Sequence, residues 1–426
     1  MRAASLVNRA LLTLMAGHFT VDLLGGVLTV TYPLLRDRFS LDLAAIGLVA
    51  TLFTASFSLS QPLFGYVIDR FDTRYLAGAA VAWMALFVAL LGLAPSYPVL
   101  LILAVLAGLG SGAYHPQGAT GAIAVTGGRR ANTVISLYTI GGASGYSLGP
   151  LIGAALLALF GLNGPAAILP FALAVALWLT IELGWRGGLR RPQAAATAAR
   201  RAGGVEERGP IRWKTLGAVL GIVMLRSWTF LVLVTFIPFL YRGYGYDSRF
   251  YSPLLFAVII AGSAGTFCGG LVADRVGRLP VIVGSLLLLG PAIWLFLRFP
   301  GPAAFPLGIL MGFIGDSSLS ATFTLAQDQI PGRVGMISGI ILGIGFVTGG
   351  VGVSLTGALA DRVGLLTALA LLPLLLLLAL VLTLFLPRGE RVRARGVGGA
   401  PDHPPRDETV RDDAAAPALA GGDGGR

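Results

Sequence analysis

Between Arg9 and Leu386 the chain is cut into apolar runs of about 20 residues, the length at which an α-helix crosses the hydrocarbon core of a bilayer. Twelve such runs can be marked, at roughly 9–34, 44–68, 75–95, 98–123, 132–160, 164–186, 214–241, 250–273, 280–298, 302–325, 334–361 and 364–386. Lipid offers no partner to an open backbone, so runs of this kind are expected to be helices. The breaks carry turn chemistry: APSYP at 94–98, TGGRRAN at 126–132, GLNGP at 161–165, RFPGP at 298–302 and IPGR at 330–333. Composition agrees. Hydrophobic residues make up 55% and charged residues 12% of the 426, too little polar surface to cover a soluble body of this size. The expected fold class is an all-α membrane protein with twelve transmembrane helices.

The formal charge of +11 would suggest nucleic acid in a soluble chain. Here the basic residues, all Arg except Lys214, sit in the short gaps, so no nucleic-acid partner is expected. The gaps after runs two, four, six, eight and ten hold Arg70, Arg74, Arg129, Arg130, Arg190, Arg191, Arg200, Arg201, Arg208, Arg212, Arg275, Arg278 and Arg333. The alternate gaps hold only Arg36, Arg38, Arg242, Arg249, Arg298 and Arg362. The positive-inside rule then puts both termini in the cytoplasm and the protein in the plasma or inner membrane. The first run is as long as a full span and lacks a small-residue cleavage site, so it does not read as a removable signal. The lone Cys268 excludes an internal disulfide framework and a thiolate metal site.

An internal repeat organises the runs. TYPLLRDRF at 31–39 aligns with FIPFLYRGY at 236–244, and the same shift of 205 pairs Gly65 with Gly270, Asp69 with Asp274, Arg70 with Arg275 and Gly110 with Gly315. Two tandem six-helix bundles are expected, at 1–187 and 214–386. A basic cytoplasmic linker at 188–213 joins them, and a polar tail at 387–426 is expected to be disordered. Such halves place a ligand site between them near mid-membrane, where one rocks against the other.

GYVIDRFDTR at 65–74 and GLVADRVGR at 270–278 resemble the G-x-x-x-D-R-x-G-R-[RK] signature of the major facilitator superfamily, with Asp72 and Thr73 departing from it in the first copy. The resemblance covers about 9–386 and implies the superfamily's fold of two pseudo-symmetric bundles. It also implies a cytoplasmic gate from Gly65, Asp69, Arg70, Arg74, Gly270, Asp274, Arg275 and Arg278, with Asp69 at the start of the eleventh span near Gly335–Ser338. A third match, GALADRVG at 357–364, falls on the outer side. In the fifth span Gly141, Gly145, Gly149, Pro150 and Gly153 form a small-residue stripe suited to close helix packing. The stripe is similar to a motif of the superfamily's antiporter branches. HFTVD, SQPLFGYVIDR, SGAYHPQG at 111–118 and AQDQIPGRVGMISG at 326–339 together resemble the fosmidomycin-resistance-like branch, whose members are taken to be exporters of drugs or metabolites.

Ionisable groups inside lipid are costly and mark function by default. Here they are His18, Asp22, His115, Arg226 and Asp316. They fall on spans one, four, seven and ten, which line the central cavity in the superfamily. The repeat puts Asp22 opposite Ser227, beside Arg226, so an Asp22–Arg226 pair is expected. Either Asp22 exchanges the coupling proton with help from His18 while Arg226 favours its charged form, or the pair is a permanent bridge that only fixes packing. His115 either joins the relay or bonds a carbonyl freed by Pro116. Gln61, Gln327 and Gln329 are candidates for span anchors, and Tyr138, Tyr146, Trp228 and Phe230 for the pathway wall.

The expected function is secondary export of a small molecule or drug by proton antiport. The alternatives are a proton-coupled uptake symporter for a small organic anion and, more remotely, a membrane-embedded enzyme. Neither H-E-x-x-H nor G-x-x-x-x-G-K-[ST] occurs, so no metal, no cofactor and no ATP drive are expected, and the partners are the substrate, the coupling proton and the bilayer around a monomer.

Overall fold

A backbone without water must bond to itself, and the computed structural model is helical in each apolar run. It describes residues 7–126, 131–186, 212–329 and 334–387, with no strand among them; the side chains of 69, 131–133 and 334–342 are outside the description. The helices are α1 (Arg9–Phe39), α2 (Leu43–Arg70), α3 (Leu76–Leu91), α4 (Tyr97–Val125), α5 (Ala131–Phe160), α6 (Leu169–Leu179), α7 (Trp213–Gly243), α8 (Ser248–Val276) and α9 (Arg278–Arg298). After them come α10a (Ala304–Asp316), α10b (Leu319–Gln327), α11 (Val334–Val363), α12a (Leu365–Ala370) and α12b (Leu372–Leu382).

Ten described segments are long and apolar enough to cross a membrane. One of them, Val134–Trp185, is 52 residues long and contains both α5 and α6, separated by a 3-10 stretch at Gly161–Ile168; α3 is shorter, at 16 residues. Counted with α5 and α6 apart and α3 included, the segments are consistent with twelve crossings. Nearly all of the expected linker at 188–213 and tail at 387–426 lies outside the described residues.

The helix ends sort onto two faces. Asn8 caps α1 by accepting the Leu11 N–H and donates to the Val125 carbonyl, both at 2.8 Å, so the start of α1 meets the end of α4. On the opposite face the Tyr97 hydroxyl donates to the Ala45 carbonyl at 2.8 Å, and Arg38 donates to the Gly92 carbonyl. We call this second face outer, after the arginine distribution. The turn from α11 to α12a is the single residue Gly364 at φ 87°, a conformation that favours glycine.

The expected glycine stripe packs α5 onto α1. A Cβ at Gly145 would stand 2.1 Å from the Phe19 carbonyl oxygen, one at Gly141 2.5 Å from the Met15 carbonyl oxygen, and one at Gly149 2.5 Å from the Gly26 Cα. Gly153 faces Val27 and Val30 in the same way. Without side chains at these points two backbones touch, which brings whatever α1 carries against α4 and α5.

Candidate functional site

His18 and Asp22 lie one turn apart on α1, and α4 brings His115 against them. The His18 Nε2 is 3.3 Å from Asp22 Oδ2, and the His115 Nε2 is 3.3 Å from Asp22 Oδ1. The chain has three histidines; both of those inside spans converge on one carboxylate. Each ring is fixed from behind. The His18 Nδ1 lies 2.9 Å from the Tyr138 carbonyl oxygen, and the His115 Nδ1 2.8 Å from that of Ser111. A carbonyl only accepts, so both Nδ1 atoms carry the proton and donate. The Tyr138 ring also stacks on His18, with centroids 4.1 Å apart.

With neutral imidazoles and an ionised Asp22, both contacts would set a nitrogen lone pair against an oxygen lone pair. Each becomes favourable only when a proton sits between the two atoms, on either partner. The cluster therefore has two proton places for one carboxylate. Asp22 and His115 keep 23% and 22% of their side-chain surface accessible and His18 only 8%, so the Asp22–His115 contact is the more accessible of the two. The same three groups could seat a divalent cation, since their ligand atoms lie within 4.8 Å of one another.

The expected Asp22–Arg226 pair is not formed. Arg226, on α7, is 8% exposed and gives its donors to its own neighbours: Nη1 to Ser285 Oγ of α9 at 3.2 Å and to Ser318 Oγ, and Nη2 to the Gly315 carbonyl. Ser318 and Gly315 flank the break between α10a and α10b, so Arg226 satisfies backbone and hydroxyl groups that the interruption leaves in the interior. Asp316 lies at the same break. Its carbonyl accepts from Thr266 at 3.1 Å, and its carboxylate presses on α8, where a Cβ at Gly262 would stand 2.5 Å from Oδ2. Five predicted residues thus fall into two clusters: an acid with two imidazoles on α1 and α4, and a guanidinium with an acid on α7 and α10.

His115 does not take the carbonyl that Pro116 releases. In an α-helix that carbonyl belongs to Gly112, whereas the ring bonds Ser111. Phe57 of α2 stands 5.2 Å from the His115 ring and 5.0 Å from that of Phe346 in α11, joining the cluster to the opposite half.

Around the inner signature copies, Arg74 pairs with Asp72 at 2.8 Å, Arg70 lies 4.5 Å over the Tyr66 ring, and Arg278 pairs with Asp328. Asp274 and Arg275 are exposed near the end of α8, with Gly270 one turn earlier. Gly65 lies one turn before Asp69 on α2. The side chains of Asp69 and of Gly335–Ser338 lie outside the described residues, and so does the contact expected between them. Thr73, where the signature has Arg, donates to Gln117 Oε1 at 2.8 Å and ties this loop to α4.

Sequence reasoning passed over Gly142. A Cβ there would stand 2.4 Å from both Asp22 Oδ2 and His18 Nε2, so the cluster exists because this residue has no side chain. The signal was the doubled glycine in GGASG, of which only Gly141 belongs to the four-residue stripe. Gly142→Ala is expected to displace one of the two partners at an overpacking cost of ~1–3 kcal/mol. Thermal unfolding of the purified variant beside the parent chain checks this.

The Major Facilitator Superfamily family model matches residues 14–341 and 219–419. The chain is 30% identical over 376 residues to the fosmidomycin resistance protein of Escherichia coli (strain K12), covering 87% of this chain and 90% of that one. It is 31% identical over 395 residues to an uncharacterized MFS-type transporter of Bacillus subtilis (strain 168), covering 88% and 92%. Among solved structures, a bacterial homolog of the human lysosomal transporter Spinster, inward-facing and occupied, superposes with a TM-score of 0.73 at 18% identity, over 88% of this chain and 95% of that one.

Proposed function

The chain belongs to the Major Facilitator Superfamily, in the branch of the fosmidomycin resistance protein, and we propose that it exports a small organic molecule in exchange for protons by alternating access. The observation that carries this reading is the meeting of both span histidines with Asp22. Two proton places at a partly accessible carboxylate, on helices that pack within one half, form a store that can fill from one side and empty to the other. Taking up a proton changes the charge of the cluster, and the affinity for a charged substrate held between the bundles changes with it. In this reading residues 1–187 and 214–386 are the two moving bundles. The linker and both termini face the cytoplasm, an orientation that the arginine distribution favours. The working unit is a monomer in the plasma or inner membrane, with no resident cofactor.

The test is the purified full chain in liposomes oriented with the cytoplasmic face outward and the lumen acidified. Fosmidomycin, the compound in the relative's name, and amphiphilic drugs serve as the probes. Accumulation should follow the pH gradient, collapse when a protonophore is added and be indifferent to a metal chelator. Accumulation that ignores the gradient overturns the proton coupling; accumulation only with the gradient reversed makes the protein a symporter; loss on chelation makes the trio a metal site.

A further inference from the structure

GALADRVG, Gly357 to Gly364, repeats the G-x-x-x-D-R pattern far from the inner face and has no part in the site above. The spacing sets its glycine and aspartate one turn apart on one face of α11. That face meets the beginning of α2. A Cβ at Gly357 would stand 2.5 Å from the Leu43 carbonyl oxygen, so the absence of a side chain is what lets the two helices come this close. One turn on, Asp361 accepts the Leu43 N–H at Oδ1 and the Ala44 N–H at Oδ2, each at 2.9 Å. These are orphan donors of a helix start, and a carboxylate suits the positive end of the helix. The helix's own cap, Asp42, takes only the Ala45 N–H, at 2.7 Å. The cap of α2 is therefore shared between two segments 318 residues apart in the chain.

The seam continues inward. A Cβ at Gly47 would stand 2.6 Å from the Ser354 Cα, and Thr51 Oγ1 lies 2.8 Å from Ser354 Oγ and donates to the Gly350 carbonyl. A second tie stands apart from it. Arg242, at the end of α7, pairs with Asp37, near the end of α1, and donates to the Pro33 carbonyl at 3.2 Å. Asp37 and Arg242 are separated by 205 residues, the shift of the internal repeat. Two positions equivalent under a pseudo-twofold can touch each other only on its axis, so this pair lies over the centre of the outer face. A pocket of about 250 Å³ lined by Arg36, Asp37, Phe239, Arg242 and Gly243 opens beside it.

We propose that Gly357 and Asp361 form an outer latch, with the Asp37–Arg242 pair as its second tie, which holds the outer face shut and must release α2 whenever that face opens. The proposal rests on the alternating-access reading. Asp361 touches no substrate; it is a positioning residue that acts through α2. The same spacing that the family places at the inner face thus serves here as a clamp on the opposite one. The glycine brings a helix start close, and the acid one turn away binds its free amides.

The test follows the exposure of a buried seam position. In the full chain with Cys268→Ser, a single cysteine replaces Thr54, which is 7% exposed beside Gly350. A membrane-impermeant maleimide is then applied to the outer face of right-side-out vesicles. Asp361→Asn keeps the shape but removes the charge and one acceptor, and should label about fivefold faster than the parent, the scale of a lost cap. Asp361→Glu should restore slow labelling, which a role in folding alone does not predict. Equal labelling rates in the parent and Asp361→Asn overturn the latch, whatever happens to proton coupling, because the measurement uses neither gradient nor substrate. Should Asp361→Asn fail to fold, Thr51→Cys with Ser354→Cys decides, since their side-chain oxygens are already 2.8 Å apart. Oxidation of that pair should stop transport and reduction restore it; transport that continues through the cross-link overturns the proposal.

Discussion

Asp22→Asn is expected to abolish gradient-driven transport, by a factor on the order of a hundred, while leaving the protein folded. The substitution preserves shape, so the glycine contacts that seat α5 on α1 are untouched. What changes is the hydrogen-bond count. The carboxylate offers two acceptor oxygens to two imidazole nitrogens, each at 3.3 Å, and a proton is needed in each gap. An asparagine supplies its own N–H to one nitrogen and needs no proton there; its oxygen faces the other. The cluster then holds fewer protons, and the site can no longer pass one between the two faces. Exchange of labelled for unlabelled substrate across the membrane, which needs rocking but no net proton movement, should survive at a rate within about a few fold of the parent. Measuring both rates in the same liposomes separates the two effects. Uphill transport at the parental rate in this variant would remove Asp22 from the coupling scheme.

Much of this architecture is legible in the residues. The run at 44–68 became Leu43–Arg70 and the run at 250–273 became Ser248–Val276, because the length of an apolar stretch and the turn residues around it are local properties. The tenth run is continuous by hydropathy, yet its helix breaks at Ser317–Ser318. The group that fills the break is Arg226, about 90 residues away in the chain, so the interruption depends on a tertiary contact that no window of sequence contains. The same limit explains the missing Asp22–Arg226 pair. The repeat pairs Asp22 with Ser227 and Arg226 with Val21, which assigns the two groups a depth. One residue along a helix is a turn of about 100° around it, however, so equal depth does not mean equal direction. Val21 is wholly buried within its bundle, and Arg226 points inward in the same way, toward Ser285 and Ser318. Ser227 instead faces Gly345 and Gly349 of α11, just as Asp22 faces Gly142 of α5. The repeat, applied to direction as well as depth, would have kept the acid and the guanidinium apart.

Arg226→Met is expected to cost the fold more than it costs recognition of any substrate. The replacement is similar in length but removes every donor. It leaves the Gly315 carbonyl and the Ser285 and Ser318 hydroxyls in the interior without the cation that holds them together, although the two hydroxyls, 2.8 Å apart, can still bond each other. An orphaned buried polar group costs ~1–3 kcal/mol, so a loss of about 3 kcal/mol is expected from the carbonyl and the disturbed serine pair together. Lys at this position keeps the charge but is a point donor on a flexible stem, unable to reach Nη1 and Nη2 partners on two helices at once, and should recover only part of the loss. Heating detergent-solubilised protein and counting what remains monodisperse measures the order: parent, then Lys, then Met. Ser318→Ala should lower stability on its own and add little to Arg226→Met, since both remove the same contact. If Arg226 were held ready for an anionic substrate instead, the Met variant would survive heating like the parent and show only a raised KM. That outcome would mean that the break in α10 stands without its brace.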